Sequence, residues 1–225
     1  MPISLVFDTE TTSAKNKKDH TDPSNPKCVQ LYAAMYEHDD YKHYISKIIV
    51  NGVVKPYLFL KPIQMVSCIV MMNDDETMEE GAFNVHGISR ERTQEVGVLR
   101  KSAANIFADM LDVSDRLVAH NVEFDKKIIR HMLHQAKIDP SLVDKPQSFC
   151  TMNYLRPKMQ LTPKMFGDWK NPKLIEGYNY LFGRDFDGAA HDASVDAAAC
   201  ADIYFEILNI ERLKIEEAQK TGTTE

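Results

Sequence analysis

Asp8, Glu10, Asp125, His191 and Asp196 stand in three short blocks that lie far apart along the chain. The blocks are Phe7-Asp8-Thr9-Glu10-Thr11-Thr12, Ala119-His120-Asn121-Val122-Glu123-Phe124-Asp125 and His191-Asp192-Ala193-Ser194-Val195-Asp196. For these groups to act together, a fold must carry an N-terminal strand end, a mid-chain helix start and a late helix start to one place. Four carboxylates gathered there repel one another unless cations sit among them. Oxygen ligands of this kind select magnesium or manganese over zinc. Such a set suits a two-metal site for phosphodiester cleavage.

Each block alone has an ordinary explanation. Asp8 and Glu10 are two apart, and period two puts both side chains on one face of a strand. An isolated Asp-x-Glu is more often a solvated strand end. Asp125 follows an apolar stretch at a helix start, where a carboxylate complements the helix dipole. Asn121 either caps that helix or bonds a ligand, and the apolar spacing of Phe124 makes it a core residue. His191 and Asp196 are five apart, about 140° around a helix. They converge only if His191 lies ahead of the regular helix, and Gly188, Ala189 and Ala190 leave room for that. Histidine titrates near neutrality and suits a general base. Asp192 reads as a helix-start acid. Only the conjunction of blocks points to chemistry.

The periodicity predicts a strand over 3–8 ending at Asp8, a polar loop over 13–27, a strand over 28–37 and a hairpin turning at Asn51-Gly52, with 57–60 continuing the sheet. Residues 74–80 read as a loop or short helix. Ser89 caps a helix over 90–96, and Ser102 caps one over 103–111 with Ile106, Met110 and Leu111 as its apolar face. Leu117-Val118-Ala119 is a buried strand, and a helix follows from about Val122. Residues 156–171 carry Pro157 and Pro163 and read as a loop anchored by Trp169. Pro172 opens a helix through Phe182 that stops at Gly183. The alanine-rich stretch from Ala193 to Leu208 is helical. These elements make a mixed α/β domain over 1–210 with a charged, frayed tail over 211–225.

The 225 residues suffice for one core. No apolar run is long enough to cross a membrane, and no basic leader precedes the first strand. Four scattered cysteines without C-x-x-C spacing read as reduced thiols in a cytoplasmic protein. The net charge of −6 argues against a long basic duplex-gripping face and permits an enzyme that handles a strand end. Lys15, Lys17 and Lys18 in the first loop, and Arg156, Lys158, Lys164 and Lys170 in the second, are candidate phosphate contacts.

The three blocks together resemble the DEDDh, or DnaQ-like, exonucleases of the ribonuclease-H-like fold. Phe-Asp-x-Glu-Thr-Thr matches the family's first motif, Ala-His-Asn-x-x-Phe-Asp its second and His-x-x-x-x-Asp its third. Val85-His86-Gly87-Ile88 resembles an element between the first two, and the likeness runs from about residue 3 to 208. It implies a mixed sheet of about five strands flanked by helices. It implies 3′–5′ hydrolysis of nucleic acid, with release of nucleoside 5′-monophosphates. It implies two Mg2+ ions, replaceable by Mn2+, held by Asp8, Glu10 and Asp196, with Asp125 acting through water and His191 as the general base. Thr9, Thr11, His86, Asn121 and Phe124 fall where the family meets the terminal nucleotide. Asp192 stands where a sister class places tyrosine. The expected partner is the 3′ end of single-stranded DNA, with RNA or oligoribonucleotides as the alternative substrate. A proofreading role beside a polymerase, a homodimer and a non-catalytic nucleic-acid-binding domain are the other readings.

Overall fold

The computed structural model describes residues 1–15, 19–37, 45–50, 53–58, 61–163, 167–188 and 191–221. Seven strands occur among them: β1 (Ile3–Thr11), β2 (Cys28–Glu37), β3 (Ile45–Val50), β4 (Val53–Leu58), β5 (Gln64–Ile69), β6 (Arg116–Ala119) and β7 (Gln147–Cys150). Seven α-helices accompany them: α1 (Glu80–His86), α2 (Arg90–Val96), α3 (Arg100–Asp112), α4 (Val122–Gln135), α5 (Thr151–Met159), α6 (Leu174–Phe182) and α7 (Ala193–Thr221). A 3-10 turn spans Pro140–Asp144.

The main sheet has five strands in the order β5-β2-β1-β6-β7. β2 is antiparallel to both β1 and β5, whereas β6 runs parallel to β1 and β7 parallel to β6. This is the expected mixed sheet. β3 and β4 pair only with each other, Val50 opposite Val53, which agrees with a turn at Asn51-Gly52. The turn residues, with Phe59 and Leu60, lie outside the described residues. Tyr57 and Leu58 therefore belong to a separate two-stranded ribbon and do not continue the main sheet.

Strand alternation in β1 sorts the two cores. Leu5 and Phe7 point with Leu31, Ala33 and Leu117 toward Ala103, Phe107 and Leu111 of α3 and Ile128, Ile129 and Met132 of α4. Val6, Tyr32, Ala34 and Val118 point to the other face, against Ala193, Ala197, Cys200 and Ala201 of α7. The small side chains on α7 let its backbone approach the sheet closely, which is the packing reason for its alanine content.

Several boundaries differ from expectation. β1 does not stop at Asp8: it runs on through Thr11, pairing Glu10 with Gln30 and Thr11 with Cys28 across an irregular step. Ser89 does cap α2, accepting the Arg92 amide. Ser102 caps nothing, because α3 begins earlier, after Leu99, and Ile106 stands 41% exposed while Ala103, Ala104 and Phe107 take the inward positions. Residues 156–159 are not loop but the end of α5, which holds Pro157 internally and stops at left-handed Gln160. Pro172 lies ahead of α6, which Lys173 precedes and Gly183 ends at φ 68°. Charged residues 211–221 continue α7 as helix, where fraying was expected.

Candidate active site

The strand alternation that sorts the cores also places the carboxylates. Asp8 and Glu10 share the even-numbered face of β1, the face covered by α7, which carries Asp196. Thr9 points to the other face, toward α4, where its hydroxyl donates to Asp125 Oδ1 at 2.8 Å. Asp125 therefore arrives from the opposite side of the sheet and meets the others at the C-terminal ends of the parallel strands β1 and β6. Open α/β sheets place ligands at such strand ends.

His191 lies ahead of α7 in the left-handed region at φ 66°. Its backbone N–H donates to Asp196 Oδ2 at 3.1 Å. The chain enters this bend through Gly188 at φ 113°, where a Cβ would stand 2.9 Å from the Val195 side chain. A bent entry brings the exposed His191 ring beside Asp196, as the five-residue spacing requires. One donor atom each from Glu10, His191 and Asp196 lies within 4.8 Å of the others. Asp192 is the N-terminal cap of α7: its Oδ1 accepts the Ser194 amide at 2.9 Å.

Burial raises the proton affinity of these acids, and repulsion among them adds to it for Asp8 and Glu10. Glu10 is pushed up to about 8, by burial and then by Asp196 and Asp125. Asp125 is pushed up to about 7 by burial, against the pull of the Thr9 hydrogen bonds. Asp8 is raised well above the usual carboxylate range by burial, followed by Asp125, Glu10 and Asp196. Burial raises Asp196 too, and the His191 amide opposes it. Asp196 Oδ1 is buried with no hydrogen-bond partner. Oxygen donors that repel one another, one of them buried and unpartnered, fit a hard divalent cation.

A pH dependence follows. Glu10 and Asp125 bind protons more tightly folded than unfolded, so without cation their contribution is complete below about pH 4 and is lost as pH rises through about 7–8. The chelated protein is expected to lose unfolding free energy from about pH 5 to about pH 8, on the order of a few kcal/mol, and its melting temperature should fall with it. Added Mg2+ should restore more at the upper pH than at the lower. Calorimetric melts at both pH values, with and without chelator, measure this.

The expected nucleotide contacts are less uniform. Thr11 donates its hydroxyl to the Ser13 carbonyl at 2.8 Å, so the hydroxyls of Thr9 and Thr11 are both committed inside the protein. His86 ends α1, and its Nδ1 accepts the Ile88 amide at 3.0 Å, which leaves Nε2–H to donate to the Thr11 carbonyl at 3.1 Å. Burial lowers its proton affinity and keeps it neutral in that role. Asn121 occupies the cap position of α4 at φ 73° without capping it, and the residue is exposed. Phe124 is half-buried against the α3/α4 core, as its spacing suggested. Trp169 is 42% exposed. Arg156 pairs with Asp168 and Lys170 with Glu176, while Lys17, Lys18 and Lys164 lie outside the described residues.

His120 was not singled out from the sequence, although it sits inside the second block. Its Nε2–H donates to the Pro172 carbonyl, and its Nδ1 accepts the Thr151 hydroxyl, each at 2.9 Å. It thereby ties the end of β6 to the start of α5 and the lead into α6. Burial lowers its proton affinity, consistent with a neutral ring.

The mixed sheet with carboxylates at its parallel strand ends is the ribonuclease-H-like architecture of a nuclease. A sequence profile of the RNase_T exonuclease family matches residues 5–204, and the chain belongs to that family, the DnaQ-like DEDDh exonucleases. Membership implies dependence on a divalent cation. Among solved structures, E. coli Exonuclease I in complex with a dT13 oligonucleotide is similar at TM-score 0.67 and 16% identity, over 96% of this chain and 43% of that one. The zinc-bound form of the E. coli ExoI–ssDNA complex is similar at TM-score 0.67 and 17% identity, over 98% and 43% of the two chains. The apo Exonuclease I structure gives 0.60 and 17%, over 90% and 41%. The chain thus spans less than half the length of these relatives. No curated protein sequence matches it significantly. No helix among the described residues is long and apolar enough to cross a membrane.

Proposed function

We propose that this domain is a 3′–5′ exonuclease that uses Mg2+ to hydrolyse the terminal phosphodiester of single-stranded DNA. The observation that carries the reading is the convergence of Glu10, His191 and Asp196 donor atoms within 4.8 Å, in a chain of the exonuclease family. The complexes of the similar E. coli Exonuclease I with a dT13 oligonucleotide and with ssDNA support DNA as the substrate.

Asp8, Glu10 and Asp196 would hold the cations directly, and Asp125 through water. When bound, the cations supply water activation and offset charge on the phosphate. His191, exposed at the rim, takes the proton of the attacking water. The water oxygen bonds to phosphorus as the bond to the preceding 3′-oxygen breaks. The phosphate leaves on the 5′-oxygen of the terminal nucleoside. Asn121 offers its side-chain amide to that nucleotide. His86 and Thr11 act through the backbone they hold, and Thr9 through the Asp125 carboxylate it bonds.

Single-stranded DNA and RNA of one sequence, each labelled at the 3′ or the 5′ end, test the reading in Mg2+ and in chelator. The 3′ label should leave first, as a nucleoside 5′-monophosphate, faster from DNA and only with cation. Earlier release of the 5′ label would overturn the polarity, and faster digestion of RNA would overturn the substrate.

A further inference from the structure

Gln30 contributes to the site without belonging to any of the three blocks. It lies on β2 directly opposite Glu10 in the antiparallel register. Its side chain is 9% exposed and spans to the start of α7. Oε1 accepts the backbone N–H of Ala193 at 3.2 Å, and Nε2 donates to Asp192 Oδ1 at 3.4 Å. Helix starts leave amide groups without partners. In α7 the Ser194 amide goes to the Asp192 carboxylate, and those of Val195 and Asp196 go to the Asp192 carbonyl. The Ala193 amide is satisfied from the sheet, by Gln30.

We infer that Gln30 is a positioning residue that sets the separation between Glu10 and the His191–Asp196 pair, and through it the affinity of the site for divalent cations. One side chain joins the cross-strand neighbour of Glu10 to the helix end that carries Asp196. Both ends of its amide are occupied, so it acts through the helix and not as a ligand. Only an amide fits both partners, since one is a donor and the other a carboxylate. A glutamate there would keep the Ala193 bond and face Asp192 with a like charge.

The inference rests on the reading that Glu10 and Asp196 hold metal, and the experiment separates the two. Mn2+ binding to the intact chain, without nucleic acid, is measured by titration calorimetry for Gln30→Met, Gln30→Glu, Asp192→Asn and the Gln30→Glu/Asp192→Asn double variant. Partners of this kind typically govern about 10–100-fold in metal affinity. Gln30→Met and Gln30→Glu should each weaken Mn2+ by about 10-fold or more. The double variant should recover most of the loss relative to Asp192→Asn, because an asparagine amide can donate to the new carboxylate. Unchanged affinity in Gln30→Met, or a Gln30→Glu loss that the double variant fails to recover, would overturn the inference. Asp196→Ala is the control: if it too leaves Mn2+ binding unchanged, the metal reading of the site fails instead.

Discussion

Asp196→Ala is expected to abolish cation-dependent hydrolysis while the protein stays folded. Asp196 is the one described group of the site with a buried oxygen that no hydrogen bond satisfies, and its other oxygen takes the His191 amide. Its removal deletes a proposed cation ligand and releases the residue expected to move the proton. The expected fall in rate is at least about 10³-fold, the upper range for deleting one preorganised stabiliser of transition-state charge. Stability should respond in the opposite sense. Burial raises the Asp196 carboxyl, so without cation that acid sits in an unfavourable place. The melting temperature in chelator should hold or rise, and the gain on adding Mg2+ should shrink. Single-turnover rates with Mg2+ and melts in chelator measure the two effects. Full cation-dependent activity in the variant would place the chemistry elsewhere.

His191→Asn separates two roles that the geometry allows. A ring nitrogen lies within 4.8 Å of donor atoms of Glu10 and Asp196, yet the residue is exposed. Asparagine tolerates the left-handed backbone at φ 66°, so this variant tests the ring with little added strain. A general base predicts a fall in kcat of about 10²–10⁴-fold with little change in the Mg2+ concentration for half-maximal rate. A ligand predicts the reverse pattern, a raised Mg2+ requirement whose rate loss is recovered at saturating cation. The first pattern is the expected one.

How much of this was legible in the sequence depended on the range of the causes. Strand alternation is local, so the shared face of Asp8 and Glu10 could be read directly, and β1 places them so. The need for His191 to precede its helix followed from helix geometry, and the bend at Gly188 and His191 meets it. The strand at 28–37 and the Ser89 cap were equally local. What failed was set by tertiary contacts. Pro157 reads as a breaker, yet it sits inside α5, whose Thr151, Met152 and Leu155 are buried. β7 is four residues long and exists through its parallel pairing with β6, which no local period announces. The bond from the Thr9 hydroxyl to Asp125, on a helix more than a hundred residues away, could not be read locally either. Gln30 was invisible for the same reason, since its partners Asp192 and Ala193 are far off in sequence.

The most direct test is a crystal grown with Mn2+ and a nucleoside 5′-monophosphate, examined by anomalous scattering. Anomalous density is expected among the carboxylates of Asp8, Glu10 and Asp196, with the nucleotide phosphate against it and the base beside Asn121. A carboxylate cluster without manganese, or manganese bound only at a different place on the chain, would contradict it.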